Sequence, residues 1–326
     1  MPQTPIGLDW ESTVEHFRND CGGWTALADE FVHRTRDVVD APTDRLTVEK
    51  GLRRLSAREH KPGGQYGRWL LRFFGVPDDV ETWARQLVQY HSRFADLPTS
   101  IRRDQLRLWD RPPASESRLA PWIHAGMASI HHRQRDLVAC HKRLTQARAG
   151  MERAGPAAIL EIRLFEARLH TDEGRRDRAA STYVELSALL EEADLSREER
   201  LAYHARLTGQ RAYHLTRPLK GEAEDLEGAI ALFESIPEEP DLPFVCFRRL
   251  GGLAWCRGRQ GRREEGAQLA RRAMMYAGDG GLVRFRVMAL NLLIRLVDKE
   301  EAELLRARAK RMARLLEDED LDRRVN

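Results

Sequence analysis

Apolar residues recur at helical spacing along almost the whole chain, and no stretch alternates apolar and polar residues long enough to predict a strand. The clearest unit runs from Phe244 to Ala277. Leu250, Leu253 and Ala254 fall at helical spacing, a break follows at Gly258 to Gly261, and Ala267, Ala270 and Ala273 mark a second helix. Two helices hinged at a glycine, with small residues where they cross, form the unit of a helical repeat array. The pattern predicts helices over about 11–19, 24–36, 46–59, 65–74, 78–94 and 99–109. It continues over about 119–132, 134–153, 156–172, 175–193, 197–215, 223–235, 243–258, 262–277, 282–297 and 300–317. Ser196, which precedes Arg-Glu-Glu, and Asp298 are expected N-caps.

Two proline-rich breaks interrupt the pattern. Asp110 to Ser117 reads DRPPASES and predicts a linker, which places a domain boundary near residue 116 and divides the chain into 1–116 and 117–326. Pro237 to Pro243 reads PEEPDLP and predicts a loop inside the second part. The fold class expected is therefore all-α: an N-terminal helical domain, then a right-handed α-solenoid of helix-turn-helix repeats. The last helix, with Leu304, Leu305, Met312 and Leu315, is expected to cap the array or to pair with a second copy as a homodimer. Leu321 to Asn326 reads as a frayed tail.

Composition narrows the function classes. Lys and Arg number 54 against 51 Asp and Glu, a net charge of +3, so any nucleic-acid surface must be a local patch. Four scattered cysteines, Cys21, Cys140, Cys246 and Cys256, make no disulfide framework and read as thiols of a reducing compartment. No run approaches the roughly 18 apolar residues a membrane span needs. The start, MPQTPIGLDWEST, lacks the basic and apolar regions of a secretion signal. No membrane partner is expected, and the expected location is cytoplasmic.

Within 119–317 the residues resemble the tetratricopeptide repeat family. That family pairs two helices, with a small residue in the first, a glycine near the hinge, and an alanine followed four residues later by an aromatic. Ala167, Gly174, Ala179 and Tyr183 match that order. Ala229 and Phe233 repeat the second half, preceded by Gly209 and Tyr213. Leu253, Ala254, Gly261 and Ala273 make a third match, with Ala270 where an aromatic would stand, and Gly126 and Ala139 suggest a degenerate first unit. The spacing departs from the family: Ala139 to Ala179 is 40 residues, Ala179 to Ala229 is 50 and Ala229 to Gly266 is 37, against a repeat of about 34. The resemblance implies a concave groove lined by the first helix of each pair. Carried across, its groove positions are Arg168, Arg248, Trp255, Arg259, Asn291 and Arg295. Such a surface would suit an extended acidic peptide or a carboxylate terminus, because arginine pairs bidentately with carboxylates and tryptophan supplies rigid apolar area.

In the first part, TALADEFV and LTVEKGLRRLSARE resemble the two helices of a helix-turn-helix or winged-helix DNA-binding module. Leu46, Val48, Leu52 and Leu55 would face inward, while Lys50, Arg53, Arg54, Arg58 and Lys61 would face out toward duplex DNA. From Arg45 to Gly75 there are eight Lys or Arg against two Glu, a local balance of +6. The connection between the two helices is longer than the family's turn of about 3–4 residues. A DNA-binding head followed by repeats would resemble bacterial peptide-sensing regulators in layout.

Catalytic signals are missing from the sequence. Gly63-Gly64 and Gly278 to Gly281 lack the lysine and spacing of a phosphate loop, and no serine sits in a Gly-x-Ser-x-Gly elbow. His124, His131, His132, His141 and Cys140 gather in one region without the carboxylate spacing of a zinc motif. The expectation is a non-enzymatic interaction protein without cofactor or metal, whose groove binds a peptide or partner protein; the alternative is a DNA-binding transcriptional regulator with a ligand-sensing array.

Overall fold

The fold follows from where the helices stop. Asp9 caps the first helix through the N–H groups of Glu11 and Ser12, and Gly22, at φ +84°, ends it. Ser196 and Asp298 accept the N–H groups of Glu199 and Glu301 and cap their helices as expected. In the computed structural model, which describes residues 8–216 and 223–325, every regular element among them is helical.

Four helices form the head: α1 (Trp10–Cys21), α2 (Trp24–Thr35), α3 (Arg45–Ser56) and α4 (Gly64–Phe73). Their core is built on Trp10, Val14, Phe31, Leu52, Leu55 and Leu70. α5 (Asp78–Gln86) and α6 (Thr99–Trp109) lead to the array. Leu106 of α6 joins the array's core while Trp109 and Ala114 join the head's, so the proline-rich linker lies where two cores meet.

The array comprises α7 (Ala120–Arg133), α8 (Leu137–Arg148), α9 (Pro156–Asp172), α10 (Arg176–Glu192), α11 (Arg197–Leu215), α12 (Leu226–Ser235), α13 (Pro243–Arg259), α14 (Arg263–Asp279), α15 (Val283–Ile294) and α16 (Lys299–Leu316). Consecutive helices pack as antiparallel pairs, an arrangement consistent with a helical repeat array. The small residues read from the sequence sit at the crossings: Ala167, Ala179, Ala229, Ala254, Ala270 and Ala273 are fully buried. At Gly252 an added Cβ would overlap the Phe233 ring, so this glycine sets the closeness of α12 and α13.

Three expectations are corrected. The helix expected over 78–94 ends at Gln86, and residues 87–98 form an irregular strap with one 3-10 turn, Arg93–Asp96. Leu46 does not face inward but is 58% exposed. Residues 321–325 are not frayed: they belong to α17 (Glu319–Val325), whose Leu321 and Val325 are buried.

α17 packs on α15 and α16 and also touches α7, so the end of the array meets its beginning. Thr99 Oγ1 donates to the Leu316 carbonyl at 3.1 Å, and the Ser100 N–H donates to Glu317 at 2.8 Å. The array is closed into a ring.

Candidate functional site

Closing the ring encloses a lumen of about 430 Å³, within the usual size of small-ligand cavities. The first helix of each pair lines it: α7, α9, α11, α13 and α15, joined by α17 and by Tyr90 of the strap. These inner helices are flanked on both sides, so they bury residues all round. In α9, Ala158, Leu160, Ile162, Leu164 and Ala167 are all buried.

The strap crosses the ring and is pinned at both ends by buried arginines. Arg102 Nε donates to the Leu87 carbonyl at 2.8 Å, and Arg133 Nη1 donates to the Ala95 carbonyl at 2.7 Å. Between them the Tyr90 N–H donates to Glu161 at 3.3 Å, and the Tyr90 ring meets Phe285 edge-on at 5.1 Å. Asp96 accepts the N–H of Arg284 at 3.0 Å, so it supplies the cap that α15 lacks locally. Burial pushes the Asp96 carboxyl up, opposed by Arg133 and Arg284.

Arginines dominate the lumen, and most are neutralised in place. Arg284 pairs with Asp318 at 3.0 Å, and Arg133 reaches Asp96 and Asp318 at 3.9 Å. Arg206 pairs with Glu161 at 2.6 Å, Arg168 with Asp172 at 2.8 Å and Arg324 with Asp320 at 2.7 Å. Burial raises the Asp172 carboxyl, but hydrogen bonds from His132 and Arg168 outweigh that and hold it well below the usual carboxylate range. Burial also raises the Tyr90 phenol, yet the fields of Arg284, Arg248, Arg168 and Arg206 bring it below its ordinary value. Four arginines around one phenol make the surroundings of Tyr90 favourable to negative charge.

Of the groove residues expected from the sequence, Arg168, Arg248, Trp255, Asn291 and Arg295 all line this lumen. Arg259 stands outside the lining; it approaches the Trp255 ring at 5.9 Å and pairs with Glu224. The sequence reading missed Tyr90, Arg133, Arg206 and Arg284. A signal for Arg284 was present, since it sits in a helix whose other positions are largely apolar, where a charged side chain must be buried and matched, whereas Arg206 lies among the many polar residues of α11 and carried none. Tyr90 carried no such signal, because its segment continues a helical pattern.

The histidines separate. His124 faces Asp110, His131 faces Asp136, His132 faces Asp172 and His141 faces Glu173. Among the described residues no three His, Cys, Asp or Glu side chains gather as a metal site. No helix among them is long and apolar enough to cross a membrane.

On the head, all eight basic residues from Arg45 to Arg72 are exposed. Lys50, Arg53 and Arg54 lie on α3, and Arg58 and Lys61 lie in the turns before α4. Arg53 pairs with Glu49 at 2.8 Å and stacks over Trp24 at 4.4 Å, while Arg58 donates to the Pro62 carbonyl at 2.6 Å. The α2–α3 connection occupies residues 36–44, too long for a tight helix-turn-helix, and residues 57–63 form turns and not a wing.

Comparison with protein-family models, with curated proteins and with solved structures found no match.

Proposed function

We propose that this chain is a non-enzymatic interaction protein, and that its tetratricopeptide-like array holds the anionic portion of a peptide or partner protein in the lumen. The observation that carries the reading is Arg248. It is buried at 6% exposure, lines the lumen and pairs with no carboxylate among the described residues. A buried cation without a counter-ion is costly, and a bound anion removes that cost. Trp255, Asn291 and Arg295 supply the apolar wall, an amide and a second cation on the same side.

The test is thermal unfolding of the full chain with acidic and with basic short peptides at constant ionic strength. Acidic peptides should raise Tm and basic ones should not; equal responses to both would sink the reading.

A second reading rests on a separate observation, the exposed basic face of the head. It makes the chain a regulator whose head holds duplex DNA through phosphate contacts while the array senses a ligand. Anisotropy of the full chain with random-sequence duplex across a salt series tests it, and no binding at low salt would remove it.

A further inference from the structure

Seven arginines line the lumen, and five of them are matched to carboxylates of the chain: Arg133, Arg168, Arg206, Arg284 and Arg324. Two are left, Arg248 and Arg295. They lie at different depths. Arg248 is buried on α13, and Arg295 is exposed at the C-terminal end of α15. Trp255 connects them: it follows Arg248 on the same helix, and the Arg295 guanidinium approaches its ring at 6.0 Å. Seven residues of helix rise roughly 10 Å, so the two uncommitted cations mark the floor and the rim of a slot with an indole along its wall.

The floor is built for its arginine. Gly209 of α11 lies directly against the Arg248 guanidinium, and a Cβ there would overlap it. The Tyr213 ring lies 5.6 Å from the guanidinium carbon. Arg248 Nε is buried with no acceptor, and so is Trp255 Nε1 further up the same helix. The Arg248 guanidinium at the floor therefore keeps hydrogen-bonding capacity for an acceptor from outside the chain.

Resting on the binding role proposed above, we infer that the lumen takes an elongated dianion, with one carboxylate on Arg248 at the floor, an apolar middle along Trp255 and a second carboxylate at Arg295 on the rim. Each end offers a single uncommitted guanidinium, which matches a singly charged carboxylate better than a doubly charged phosphate. The lumen volume of about 430 Å³ matches a compact molecule or the end of a chain better than a long extended peptide. Two sources share this chemistry: a free dicarboxylic acid, and the acidic end of a polypeptide, where the α-carboxylate and an acidic side chain supply the two charges.

Calorimetric titration of the full chain at constant ionic strength tests the inference. The probes are succinate, adipate, suberate and sebacate, the monoacids octanoate and decanoate, and the peptide Ala-Ala-Ala-Glu as free acid and as C-terminal amide. The longer diacids should bind about fivefold or more tighter than monoacids of equal length. Arg295→Gln, a surface change that leaves folding intact, should reduce the diacids to the monoacid level and leave the monoacids unchanged. Arg248→Gln should abolish both. Gly209→Ala keeps the arginine but displaces it, and should weaken both.

Diacids no tighter than monoacids, or an Arg295→Gln variant that weakens both equally, would overturn the dianion while leaving the binding role standing. Failure of every anion to bind would remove the inference and the role together. A peptide acid tighter than its amide and than every diacid identifies a polypeptide end as the source; the reverse order identifies a free dicarboxylic acid.

Discussion

Two buried arginines that look alike should respond to mutation with opposite signs. Arg284 is the near partner of Asp318, so Arg284→Met leaves that buried carboxylate only the more distant Arg133 and should destabilise by about 3 kcal/mol. Arg248 has no counter-ion, so Arg248→Met should stabilise the ligand-free chain, on the order of 1 kcal/mol. Chemical denaturation of the two variants measures both; loss of stability in Arg248→Met would mean that the guanidinium is already satisfied. His91 on the strap gives a third prediction. Burial, aided by the fields of Arg206 and Arg85, lowers its pKa from 6.5 to about 3. The unfolded chain therefore binds a proton that the folded chain refuses. The resulting stability is complete above pH 6.5 and declines as pH falls toward about 3, by up to about 1.4 kcal/mol per pH unit. Unfolding midpoints at about pH 7 and about pH 5 should differ, and His91→Gln should reduce that difference.

At the scale of elements, the closing contacts concentrate in one buried ionic hub. Asp318, just before α17, faces Arg133 of α7 and Arg284 of α15, while Asp96 reaches the same two from the strap. The arginine fields outweigh burial at Asp318 and hold its carboxyl below the usual range. Asp318→Asn should cost about 3–5 kcal/mol, and hydrogen exchange should rise at Ser100, whose N–H bonds to Glu317. Unchanged exchange there would show that the hub does not hold the ring shut. This part of the fold was the least legible in the sequence. Local periodicity defines α9, α11 and α13 to within a residue or two, because caps and glycines act over short distances. The strap follows another logic. Leu87, Val88, His91, Phe94 and Ala95 keep helical spacing, but the carbonyls and N–H that would continue the helix are taken by Arg102, Arg133 and Glu161 from elsewhere in the chain. No local pattern announces such partners. The lumen was readable in part: Arg168, Arg248, Trp255, Asn291 and Arg295 follow from the face that the first helices present, whereas the pairing that leaves only Arg248 and Arg295 uncommitted depends on Glu161, Asp172, Asp318 and Asp320.

For the whole molecule, head and array carry separate surfaces, and separate measurements address them. Replacing Arg53 and Arg54 with alanine should lower the salt slope of any duplex binding by about 2 and leave lumen titrations unchanged. Arg53 also packs on Trp24, so the anisotropy should be read beside a melting curve. A slope that stays the same would move any DNA contact off α3. The ring has a consequence for how the chain is made. In an open array each repeat is complete once its neighbour exists, and synthesis from the N-terminus can fix the units in order. Here Arg133 in the first pair meets Asp96 early but gains its second carboxylate, Asp318, only when the chain is nearly two hundred residues longer. Throughout that interval the ring stays open at the side that α17 later closes, so polyanions compete for Arg133 before Asp318 arrives.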